Sequence, residues 1–135
     1  MLQARAGSII NVASLIGIGG FYPGMPVSGA AYAATKAGLA GMTRQIAAEY
    51  GVDNIRANAI APGWQGAGTR LADHFKADWS DEDKERFEQA IVAGTPMGRR
   101  GAPKELQGLV IYLASDASTY VTGQLIAHDG GWTAV

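Results

Sequence analysis

The chain has 135 residues, enough for one domain with a real but modest core. Eleven Lys and Arg against twelve Asp and Glu leave a net charge of −1 with no basic stripe or charge block, which argues against a nucleic-acid or membrane-surface role. There is no cysteine, so disulfides and thiolate chemistry are excluded, and a reducing cytoplasmic setting fits.

No apolar run reaches the roughly 18 residues that span a bilayer. The opening MLQARAGSIIN lacks the long apolar stretch of a signal peptide. Glycine is the outlier: 19 residues, about twice its usual share. The glycines gather in loops without a repeat, which points to backbone approaching a ligand rather than to collagen-like or disordered character.

In chain order, Met1 to Ala6 lead into a first strand, Ser8 to Ala13 (SIINVA), whose apolar, β-branched character suits a strand covered on both faces. Leu15 to Gly29 hold five glycines and two prolines and read as a loop. Its Phe21, Tyr22 and Met25 either pin it to the core or wall a substrate pocket. From Ala30 to Tyr50 nothing breaks an alanine-rich helix before Gly51. Leu39, Met42, Ile46 and Ala47 give it an apolar stripe. Ala30, Ala33, Ala34, Ala37 and Ala40 give it a second surface of small side chains, for a neighbouring helix or a second subunit.

Ile55 to Ala61 (IRANAIA) reads as a second strand, closed by Pro62-Gly63. After a loop over Gly66 to Arg70, Leu71 to Ala77 allow a helical turn or two. Ser80 with Asp83 reads as a capping box opening a helix to about Ala93, with Phe87, Ile91 and Val92 facing inward. The acidic run from Asp78 to Glu85 is a solvated face whose charges suit the helix N-terminus, and it lacks histidines at metal-ligand spacing. Pro103 opens a further helix, with Leu106, Leu109, Val110 and Leu113 repeating up to Ala114. Gln124 to His128 form the last strand before the Asp129-Gly130-Gly131 turn. Strands separated by long crossovers predict a parallel sheet in an α/β fold, residues 1–135 forming one unit.

Chemistry concentrates between Ser14 and Lys36. Tyr32 and Lys36, four apart on a helix, share a face. An ammonium beside a phenol favours the phenolate, which suits Tyr32 to proton transfer. Ser14, at a strand's C-terminal end where open α/β sheets bind ligands, is placed to hold a substrate oxygen. Taken alone, the Tyr–Lys pair is more simply a solvated helix face. The GIGG at Gly17 to Gly20 is no phosphate loop, because it precedes FYPGMP instead of a helix.

Ser14 after SIINVA, Tyr32 with Lys36, NAIAPG and the terminal VTGQLIAHDGGWTAV together resemble the classical short-chain dehydrogenases/reductases, from about Gly7 to Val135. The resemblance implies the C-terminal part of a Rossmann-like doubly wound parallel sheet with flanking helices. A full subunit of that family is about twice as long, and its first half carries the dinucleotide-binding glycine motif and a further catalytic Asn. The chain thus looks like the catalytic C-terminal half, whether cut from a longer protein or started at an internal Met1.

By the same resemblance, Ser14 hydrogen-bonds the substrate oxygen and Tyr32 exchanges the proton. Lys36 tunes Tyr32 and binds the nicotinamide ribose. Pro62, Gly63, Gln65 and Thr69 contact the cofactor, NAD or NADP; for Pro62 and Gly63 the plainer reading is a strand-ending turn. No metal is implied. The substrate is a small alcohol or ketone such as a sugar, polyol or β-ketoacyl compound, and relatives associate into homo-oligomers through the last helix and strand. Two departures stand out. The family commonly places its Tyr about thirteen residues after its Ser, against eighteen here. Thr69 falls six residues after Gly63 instead of four.

His74 and His128 read as fillers, and His128 stands where the family has an aliphatic residue. Trp64 and Trp132 are expected near the site mouth or the C-terminal interface. The rival to an alcohol dehydrogenase or ketone reductase is a non-catalytic piece that keeps only the fold and its oligomerisation surfaces. An epimerase or dehydratase fits the YVTGQ…DGGW ending less well.

Overall fold

The computed structural model describes residues 1–20, 29–66 and 78–135. The readings of Phe21, Tyr22, Met25, Thr69, His74 and the turns at Leu71 to Ala77 lie outside these residues. Three strands, β1 (Gly7–Val12), β2 (Ile55–Pro62) and β3 (Leu125–His128), form one parallel sheet in the order β1-β2-β3. Among the described residues the α-helices are α1 (Ala30–Tyr50), α2 (Asp81–Gly94) and α3 (Gln107–Ala114), the last continuing a 3₁₀ turn over Pro103–Leu106.

Alternation along the strands puts helices on both faces of this sheet. On one face, Ser8 and its register partner Arg56 both donate to the Leu113 carbonyl of α3, at 2.7 and 3.0 Å. On the other, Asn11 donates to Thr43 of α1 at 2.8 Å. There Ala59 and Ala61 are fully buried with Ala13, packed by Leu39 of α1. Alanines on this face of β2 let the α1 backbone come close, so the core is thin and dense instead of being built of large side chains.

β2 is the central strand and the best buried. Asn58 is fully buried on it with both ends of its amide used: Nδ2 donates to the Val121 carbonyl, and Oδ1 accepts from the Gln124 N–H. Thr122 Oγ1 accepts from the Ala57 N–H, and the Gly123 N–H donates to the Ala57 carbonyl. The Val121–Gln124 turn is thereby stitched to β2, which sets where β3 begins.

Several expectations shift. β1 is only half-buried and Val12 is 54% exposed, because among the described residues β1 lies at the edge of the sheet instead of inside it. The buried stripe of α1 runs through Ala40, Thr43 and Ala47, while Met42 is 45% exposed. Thr43 satisfies its hydroxyl on the Leu39 carbonyl and accepts from Asn11, so a polar residue takes the core position. In α2 Ile91 is buried, but Val92 is 43% exposed, since consecutive helical residues point about 100° apart. Ser80 caps α2 as read, its Oγ accepting from the Asp83 N–H.

Candidate active site

Ser14 lies two residues beyond the end of β1. It is extended and buried, and its Oγ accepts from the Ile16 N–H at 3.3 Å, capping a 3₁₀ turn over Leu15–Gly17. That turn sits on α1. A Cβ at Gly17 would lie 2.8–2.9 Å from the Lys36 carbonyl and the Ala37 nitrogen. Only glycine permits this approach, and it fixes Ser14 relative to the backbone of Lys36.

Lys36 reaches back to the same strand end, where its Nζ donates to the Val12 carbonyl at 2.8 Å. The ammonium stands 5.6 Å from the centre of the Tyr32 ring, one helical turn earlier. One bond to a carbonyl leaves two of its three protons for other partners. Tyr32 is 36% exposed, so its ring lies at the surface and not in the core.

The neighbouring strand end carries Pro62, Gly63 and Gln65. Gly63 has a steric role of its own: an added Cβ would fall 2.5 Å from Asp129 Cα, where the β2 and β3 turns cross. Gln65 forms an isolated parallel bridge with Gly101. The Gly101 N–H donates to the Trp64 carbonyl at 3.0 Å, and the Gly66 N–H donates to the Gly101 carbonyl at 2.6 Å. The Gln65 carbonyl accepts from Arg100 Nη1 at 3.1 Å. Among the described residues no hydrogen bond uses the Gln65 N–H. An unengaged backbone donor at the C-terminal end of a parallel sheet is where an acceptor on a ligand is bound.

Beside it opens a cleft of about 600 Å³, lined by Trp64, Gln65, Arg99, Glu105, His128 and Asp129 among others. Trp64 lines it and meets Trp132 edge-on at 5.5 Å. His128 places Nε2 3.1 Å from the Glu105 carbonyl oxygen. Arg99 grips the Glu105 carboxylate through two bonds of 2.8 and 2.9 Å, and the Ala102 N–H adds a third. The Arg99 bonds, then the Ala102 N–H, hold the Glu105 pKa down at about 2. For Asp129, burial pushes the pKa up, but bonds from Thr133 and the Gly131 N–H outweigh it and leave the carboxyl below its ordinary value. Among the described residues no group of three or more His, Asp or Glu is placed to hold a metal.

The structure thus brings Ser14, Tyr32 and Lys36 to the end of β1, and Pro62, Gly63 and Gln65 to the adjoining end of β2. Thr69 lies outside the described residues. The Arg100–Gly101 clamp on Gln65 escapes sequence reading, because it joins residues 35 apart through backbone atoms. A glycine after two arginines is its only trace.

A family model described as enoyl-(acyl carrier protein) reductase matches residues 1–133. The 3-oxoacyl-[acyl-carrier-protein] reductase of Chlamydia trachomatis is 39% identical over 133 residues, covering 97% of this chain and 47% of that protein. The 2-dehydro-3-deoxy-D-gluconate 5-dehydrogenase of Dickeya dadantii is 42% identical over 132 residues, covering 98% and 47%. Among solved structures, a gluconate 5-dehydrogenase from Burkholderia cenocepacia, in complex with NADP and tartrate, superposes with a TM-score of 0.82 at 33% identity. That match covers 99% of this chain and 48% of the other. The chain spans about half the length of the curated relatives it matches.

Proposed function

The chain belongs to the short-chain dehydrogenase/reductase family, and from that premise we propose that the whole protein is an NAD(P)-dependent oxidoreductase interconverting an alcohol and a ketone. The observation that carries the reading is the Lys36 ammonium, tied to the Val12 carbonyl and 5.6 Å from the Tyr32 ring centre, beside the Ser14 turn seated on the Lys36 backbone.

Ser14 Oγ holds the substrate oxygen by a hydrogen bond. In the reducing direction Tyr32 gives its phenolic proton to that oxygen, and in the oxidising direction it takes the proton back. Lys36 stabilises the phenolate left on Tyr32 and offers its remaining protons to the ribose hydroxyls. The unengaged Gln65 N–H fits an acceptor such as the nicotinamide carboxamide. Pro62 and Gly63 shape the backbone beneath it, and Thr69 is assigned to the carboxamide or the phosphates. The bound nicotinamide supplies or accepts the hydride at the carbon bearing the oxygen. Substrates are a β-ketoacyl thioester or a sugar acid, the two chemistries named in the relatives. Association into a homo-oligomer would use the small-residue surface of α1, where Ala30, Ala34 and Ala37 are exposed.

The test is Tyr32→Phe in the full-length protein, assayed with NADPH or NADH against an acetoacetyl thioester and a keto-gluconate. Turnover falls by about 10²–10⁴-fold, while cofactor affinity by fluorescence titration stays within about twofold of wild type. Wild-type-like turnover ends the proposal. A second reading, a non-catalytic piece retaining fold and association surfaces, draws on the half-length match. Saturable NADH binding by the 135-residue chain alone counts against it.

A further inference from the structure

We infer that Arg100 is a positioning residue for the cofactor: its guanidinium holds the Gln65–Gly66 peptide unit, and together with the Gly101 bonds on either side of Gln65 it fixes the backbone from which the Gln65 N–H meets the ligand. The inference rests on the cofactor reading above and extends it to a residue outside the resemblance.

The two peptide units flanking the Gln65 Cα carry four backbone polar groups. Three are engaged by the Arg100–Gly101 segment. The Trp64 carbonyl accepts from the Gly101 N–H, the Gly66 N–H donates to the Gly101 carbonyl, and the Gln65 carbonyl accepts from Arg100. The fourth, the Gln65 N–H, is the one left unused among the described residues. With three groups fixed, neither peptide unit can rotate without breaking a bond, so the direction of that N–H is set before a ligand arrives.

Arg100 is itself immobilised. Its Nε and Nη2 donate to the two carboxylate oxygens of Glu88 on α2, at 2.6 and 2.7 Å. Its guanidinium carbon lies 5.9 Å from the centre of the Phe87 ring, and Phe87 meets Trp64 edge-on at 5.7 Å. The side chain is only 22% exposed. A two-bond grip on Glu88 through Nε and Nη2 aims Nη1 at the Gln65 carbonyl, so α2 and the end of β2 are joined through one planar group. A lysine has the charge but not the fork, and cannot serve both partners in these directions.

The experiment uses the full-length protein with Arg100→Lys, Arg100→Met and Glu88→Ala, measuring NADPH and NADH dissociation constants by fluorescence, kcat at saturating cofactor, and the thermal midpoint. Arg100→Lys and Arg100→Met are expected to weaken the preferred cofactor about fivefold to tenfold while kcat stays within about twofold; Glu88→Ala gives a smaller loss in the same direction. Cofactor affinity within twofold of wild type in Arg100→Met overturns the inference, as does full rescue by lysine, which would make charge and not geometry the cause. A kcat that falls in step with affinity and thermal midpoint also overturns it, since that marks a purely structural role. If the wild-type protein binds neither NADPH nor NADH, the cofactor reading itself fails and this inference falls with it. If wild type binds and the variants match it, only the inference is lost.

Discussion

At the residue scale, polar groups pair both across the fold, as Asn58 does with Val121 and Gln124, and locally, as Glu105 does with Arg99 and Ala102. In that local pairing Glu105 gives a pH signature. Its folded pKa of about 2 lies below the ordinary 4.5. A depressed carboxyl contributes stability that is fully present above the ordinary value and is lost as pH falls from there toward the folded one. Wild type is therefore expected to exceed Glu105→Gln in thermal midpoint at neutral pH, with the gap closing between about pH 4.5 and 2. A gap that stays constant across an acid series of melts would show that the Arg99 grip on the ionised carboxylate is not its source.

Tyr32 and Lys36 were legible because helical spacing is local: four residues apart means one face whatever the rest of the chain does. Ser14 was legible as the residue ending an apolar run. The availability of the Gln65 N–H was not, since it depends on which of its neighbours Gly101 and Arg100 engage. The steric roles of Gly17, read as a loop glycine, and of Gly63, read as a cofactor contact or a strand-ending turn, were not legible either, since they depend on backbone lying 2.5–2.9 Å from their missing side chains.

At the scale of elements, α1 begins and ends where alanine content and Gly51 place it, and β1 and β2 fall within a residue of their apolar runs. Faces were harder. Thr43 displaces Met42 inward because Asn11 offers its hydroxyl a partner, which no hydrophobicity pattern contains. The NAIAPG and VTGQ stretches, noticed as signatures, prove to be a single splice, with Asn58 and Ala57 of the first holding Val121 to Gln124 of the second. Asn58→Ala strands the Val121 carbonyl and the Gln124 N–H without their amide partner in a buried setting. The expected loss is about 2–3 kcal/mol of unfolding free energy, read from the urea midpoint at unchanged slope. A loss under about 0.5 kcal/mol would mean that water satisfies both groups.

For the whole molecule, the accessible surface is 8260 Å², against about 6,700 Å² for a compact monomer of 14.0 kDa. Large apolar side chains lie on this surface: Val12 on the edge strand, Ile111 at 66% exposed on α3, and Tyr120 fully exposed. Among the described residues β1 pairs only with β2, leaving its other edge of backbone donors and acceptors open. Open edges recruit further strands. The 135-residue chain alone is therefore expected to self-associate at micromolar concentration in sedimentation velocity. A monomer with one sharp urea transition would contradict this.

The seat of Gly17 on the Lys36 backbone has a consequence for how such a protein can diversify. It closes the Ser14–Lys36 geometry by direct contact between turn and helix. Any side chain at residue 17 would push the turn off the helix and spread the two residues apart. Variation that keeps the Ser14–Lys36 geometry is thus confined to changes that leave residue 17 a glycine.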